Sequence, residues 1–101
     1  MKFYVIGDED TVLGFRLTGI EGRIVDLPEQ AEAALKEAFG REDLGIVVIT
    51  ERIAQTIRNQ VDRYIFTTTF PLIIEIPDRH GPLEGRGSIR DTIRAAVGVH
   101  L

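Results

Sequence analysis

Leu44-Gly45-Ile46-Val47-Val48-Ile49 is the stretch on which the fold turns. It is almost wholly apolar, and its β-branched residues sit at the centre. A run this short and this uninterrupted reads as a strand buried on both faces. Thr50 then caps a helix that carries Ile53, Ile57, Val61, Tyr64 and Ile65 along one side. Upstream, Pro28 suits the first position of a helix. Ala31, Ala34, Leu35, Ala38 and Phe39 follow at helical spacing, and Gly40 is a stop. Arg23-Ile24-Val25-Asp26-Leu27 precedes that helix as a short strand. At the start, Phe3-Tyr4-Val5-Ile6 is another strand, ended by Gly7. Asp8-Glu9-Asp10 continues the turn, Thr11 caps a helix from Val12 to about Leu17, and Gly19 or Gly22 stops it. Downstream, Thr67-Thr68-Thr69 is poor helix material and Pro71 closes that segment. Leu72-Ile73-Ile74-Glu75-Ile76 is a fourth strand, stopped by Pro77.

Strands alternating with helices imply a parallel sheet covered on both faces. Right-handed crossovers then restrict the topology to a few forms. The expected fold is α/β: a four-stranded parallel sheet in the order 2-1-3-4 with flanking helices, flavodoxin-like or receiver-like. Residues 1–77 form this domain. Residues 78–87, rich in Gly and Pro, read as a linker, and residues 88–101 as an amphipathic C-terminal helix capped by Ser88.

The chain has 101 residues, 44% hydrophobic and 28% charged, with no cysteine. The length suits one domain burying roughly two-thirds of its unfolded surface. The lack of cysteine excludes a disulfide scaffold, cysteine-bound zinc, iron–sulfur clusters and thiol chemistry, and fits a cytosolic protein. The formal net charge of −4 disfavours a protein that mainly grips nucleic acid. No apolar run approaches the ~20 residues of a membrane helix, and the start lacks the apolar region of a signal peptide. The charge is unevenly spread. Residues 1–78 carry eight basic and fourteen acidic side chains, whereas residues 79–101 carry four arginines against Glu84 and Asp91.

In folds of this kind ligands bind beyond the carboxyl ends of the strands. Asp8, Glu9 and Asp10 occupy that place after the first strand. A receiver's magnesium site also needs a phosphate-accepting Asp after the third strand, where this chain has Thr50-Glu51, and a lysine after a fifth strand that is not visible. The acidic turn is therefore read as favouring the positive end of the following helix, with no metal held. Gly7 and Gly14 match neither the dinucleotide nor the phosphate-loop spacing, so backbone geometry is the reason assigned to both. Ser88 is the only serine, and His80 and His100 fall in the linker and tail. No nucleophile–base pair is expected, and no cofactor. If the helix after Thr50 turns Ile53, Ile57 and Val61 to the sheet, then Arg52, Arg58 and Arg63 point outward and can meet an acidic partner.

The tail carries two repeats. Ile89, Ile93, Ala96 and Val97 form a helical apolar stripe, and Arg86, Arg90 and Arg94 recur every four residues on another side. Two readings stay open: a helix folded onto its own domain, or a tethered helix docking on another chain.

Taken together, Ile6-Gly7-Asp8-Glu9-Asp10-Thr11-Val12-Leu13-Gly14-Phe15, Ile49-Thr50-Glu51 with Ile53-Ala54, Pro71-Leu72-Ile73-Ile74-Glu75-Ile76-Pro77 and the tail from Gly85 to Leu101 resemble the F subunit of V-type and archaeal-type ATPases and ATP synthases. The resemblance covers essentially the whole chain. It implies a receiver-like domain plus a mobile C-terminal helix, a non-catalytic rotor component of the central stalk. In that family the protein binds the coiled coil of the D subunit, reaches the A and B subunits of the catalytic hexamer and modulates ATP hydrolysis or synthesis coupled to ion transport. The resemblance implies no active site of its own, no cofactor and a cytoplasmic place peripheral to the membrane. The partner-binding residues expected on this basis are Arg86, Ile89, Arg90, Ile93, Arg94 and Val97. The alternative is a pseudo-receiver, a regulatory binding module of the same fold that is not phosphorylated.

Overall fold

The structure is a computed structural model and describes residues 2–78, 80 and 81. Its elements are β1 (Lys2–Gly7), α1 (Glu9–Arg16), β2 (Glu21–Ile24), α2 (Pro28–Phe39), β3 (Leu44–Thr50), α3 (Glu51–Thr56), α4 (Arg58–Thr67) and β4 (Leu72–Ile76). The four strands form one parallel sheet in the order β2-β1-β3-β4, as expected.

The chain order explains the layering. The first crossover, β1 to β2, runs one way along the sheet, and the later ones run the other way. Right-handed connections therefore put α1 on one face and α2, α3 and α4 on the other. The larger core lies under the three helices: Tyr4, Ile6, Val47 and Ile49 from the strands meet Ala31, Ala34, Leu35, Ala38, Ala54, Ile57 and Val61. Phe39 of α2 stacks on Tyr64 of α4 with ring centroids 4.1 Å apart, which fastens these two helices together. The smaller core lies under α1, where Val5, Val12 and Val48 are buried with Phe15, Ile20 and Ile24 against them.

Local chemistry moves several boundaries. Asp8, not Thr11, caps α1: its carboxylate accepts from the Thr11 backbone N–H at 3.2 Å and from the Thr11 hydroxyl at 2.6 Å. The helix accordingly starts at Glu9, one turn's worth of residues before the expected Val12. β2 begins earlier than Arg23 and ends at Ile24, and its Gly22 lies beside Val5 of β1 where no side chain fits. A Cβ there would stand 2.4 Å from Val5 Cγ1 and 2.7 Å from the Val5 carbonyl oxygen. Thr50 caps α3 as expected, accepting from the Ile53 N–H at 3.3 Å. The single helix expected after it is two. Ile57 leaves helical geometry (φ −130°, ψ 40°), ending α3 and starting α4 while staying buried itself.

Candidate functional site

β1 and β3 end side by side, and the crossovers diverge between them. This is where an open α/β sheet makes its crevice. Gly7 ends β1 and Thr50 ends β3. A Cβ on Gly7 would lie 2.9 Å from Thr50 Cγ2, so close approach of the two strand ends requires the glycine. Gly14 has no such reason: nothing lies within 4 Å of the place its Cβ would take. Both oxygens of Asp8 are used in its cap, and Thr50, fully buried, spends its hydroxyl on the next helix. Glu51 is buried in the first turn of α3. Among the described residues no three His, Asp or Glu side chains group as ligands for a cation. The crevice thus presents helix caps: the Asp8 carboxylate holds the start of α1 and the Thr50 hydroxyl that of α3.

β4 brings a different chemistry to the same rim. Glu75 is the one charged residue of that strand and its side chain is 2% exposed. Arg58 of α4 meets it in a two-pronged pair, Nη1 donating to Oε2 at 2.7 Å and Nη2 to Oε1 at 2.6 Å. Arg58 Nη1 also donates to Asp62 Oδ1 at 3.1 Å. The hydrogen bonds to Glu75 hold the guanidinium's pKa above its usual value. The expectation that Arg58 points outward to meet a partner is therefore wrong. The break at Ile57 rotates α4 so that Arg58 turns to the sheet, and the lone carboxylate of β4 supplies its counter-charge. A single Glu in an otherwise apolar strand was the available signal. Arg63 is exposed, as expected, and Arg52 is half exposed. Arg52 Nε donates to Asp78 Oδ2 at 2.9 Å, and Asp78 Oδ1 accepts from the His80 N–H at 2.9 Å. Burial works to raise the Asp78 pKa, but Arg52 and the His80 N–H outweigh it and the carboxyl titrates below its usual value. Asp78, with the His80 and Gly81 N–H groups bonded to it, is thereby fastened to α3.

The candidate docking residues Arg86, Ile89, Arg90, Ile93, Arg94 and Val97, together with Ser88 and His100, lie outside the described residues.

The model of the ATP synthase (F/14-kDa) subunit family matches residues 3–93. The chain belongs to that family. It is 41% identical to the A-type ATP synthase F subunit of Pyrococcus furiosus, across 100% of this chain and 98% of the relative. It is 38% identical to the F subunit of the A-type ATP synthase of Methanothermobacter thermautotrophicus, across 96% and 92% of the two chains. The crystal structure of the V-type ATP synthase F subunit of Archaeoglobus fulgidus shares the fold, with a TM-score of 0.61 at 24% identity, covering 74% of this chain and 95% of that one. The F-subunit resemblance read from the sequence and the 2-1-3-4 sheet are both established. Among the described residues no helix is long and apolar enough to cross a membrane.

Proposed function

We propose that this F-family chain is a rotor component of the central stalk in an A/V-type ATP synthase or ATPase. It binds the coiled coil of the D subunit and modulates ATP hydrolysis or synthesis coupled to ion transport. It has no active site of its own and sits on the cytoplasmic side, held to the membrane through the complex. Residues 1–77 serve as the folded body, 78–87 as a tether and 88–101 as a helix that docks on D and reaches the A and B subunits. On that helix Ile89, Ile93 and Val97 supply buried contact, and Arg86, Arg90 and Arg94 set register against acidic partners.

The observation that carries this reading is similarity along the whole chain to F subunits of A-type ATP synthases. The rim agrees with it: Asp8 is spent as a cap and Thr50 stands where a receiver would need its acceptor acid. The test is reconstitution of an A, B, D and F complex with and without residues 86–101. Loss of affinity for D, or changed ATPase activity, is expected on truncation. Equal affinity and equal activity would overturn the role given to the tail. Failure of the full chain to bind D at all would overturn the rotor reading.

A further inference from the structure

Arg52 stands where its own helix has no use for it. It is the second residue of α3, and a cation in a first turn lies against the unpaired N–H groups of that helix end. Its use is across the chain. Register sets Thr50, at the end of β3, beside Ile76, at the end of β4. The first turn of α3 therefore stands next to the point where the chain leaves the sheet. There Arg52 Nε reaches the Asp78 carboxylate. The Asp78 side chain is only 5% exposed, against 50% for Arg52. A carboxylate is thus sunk at a place where a solvated loop would have served stability as well. Buried ion pairs are weak sources of stability and better devices for fixing one arrangement.

Asp78 passes that fixity on. Its side chain accepts from the His80 N–H and its carbonyl from the Gly81 N–H, both at 2.9 Å. Gly81 has φ +88°, and nothing lies within 4 Å of the place its Cβ would take. The glycine serves backbone direction, not space. Asp78, His80 and Gly81 are held and turned before residue 82 is reached.

We infer that Arg52 is a positioning residue: through Asp78 it fixes the point and the direction from which residues 82–101 leave the body. Of the ten residues 78–87 read as a tether, six then set its reach. Six residues extend at most ~20 Å, and ten at most ~34 Å. Freeing the other four dilutes the tail at its docking place by roughly twofold from chain length alone, and by more once its direction is lost. The clamp stands on the geometry of the body. Only its effect on D-subunit binding rests on the rotor reading.

The absence of cysteine lets probes be placed in the full chain. Nitroxides on Lys36→Cys and His80→Cys report the distance from α2 to the clamped turn. One narrow distribution is expected. It should widen at least about twofold with Arg52→Met or Asp78→Asn, and narrow again with Arg52→Lys, which keeps the charge. An unchanged width in Arg52→Met and Asp78→Asn would overturn the inference. Affinity for the D subunit then separates positioning from mere structure in a double-mutant cycle. Arg52→Met should weaken binding of the full chain by about two- to fivefold, and have no further effect once Ile93→Asp has disabled the tail. Equal losses in the two backgrounds would overturn the positioning role. If Ile93→Asp itself leaves the affinity unchanged, the docking role given to the tail fails, and the distance widths alone decide the clamp.

Discussion

Arg58 and Glu75 show how much one side chain can decide. Two charges held in a two-pronged pair, one of them almost wholly buried, are tolerable only together. Arg58→Ala should cost about 3–5 kcal/mol in chemical denaturation, because it strands a carboxylate inside the sheet. Arg58→Met combined with Glu75→Leu should recover most of that loss, since neither charge then remains to be desolvated. Asp78 gives a pH dependence with a definite sign. Its folded pKa lies below the usual 3.8, so the stability it contributes is complete above that value and is lost as the pH falls through the folded pKa. Thermal melts between about pH 5 and 2 should therefore decline less steeply for Asp78→Asn than for the unaltered chain.

At the scale of elements, the two glycines on either side of α1's axis should respond oppositely. Gly22→Ala forces a methyl into Val5 and Val12, and should destabilise by about 1–3 kcal/mol. Gly14→Ala adds a methyl in open space in the middle of a helix, and should stabilise by roughly 0.5–1 kcal/mol. Equilibrium unfolding of the two variants checks both signs. The same elements show what could be read from residue order. The strand–helix alternation and its 2-1-3-4 order were legible, because each strand is an apolar run and each helix carries its own periodic stripe. The break at Ile57 was not. Ile53, Ile57 and Val61 keep helical spacing straight through it, and no Gly or Pro marks the place. The start of β2 was missed for a related reason. Gly22 read as a helix stop, whereas its use is the close approach of Val5 on a neighbouring strand. The pairing of Arg58 with Glu75 joins residues on different elements: the lone Glu of an apolar strand signals that a counter-charge is needed, but no local pattern says which residue supplies it.

For the molecule as a whole, the described body holds two cores, several interlocking ion pairs and the Phe39–Tyr64 stack. A chain ended after Gly81 should therefore still unfold in one cooperative step, followed by circular dichroism in the near and far ultraviolet. A gradual loss of near-ultraviolet signal would show instead that residues 82–101 are needed to order the core. Ending after Gly81 is the sensible cut, because His80 and Gly81 bond to Asp78, which Arg52 ties to α3.

Glu75 has a second consequence, concerning company more than stability. Among the described residues β4 pairs only with β3, so its outer rim of backbone N–H and C=O groups is a template on which another strand could grow. With five residues of which four are Leu or Ile, it is the kind of segment that stacks into fibrils. The carboxylate guards against this. A slip of one position would swing Glu75 to the other face, away from Arg58, and leave a bare charge among isoleucines. The Arg58→Met, Glu75→Leu protein, though folded, should therefore form larger species at lower concentration than the unaltered chain, as light scattering would record. The ion pair acts as a lock on alignment, and a chain relieved of it would be free to join its neighbours.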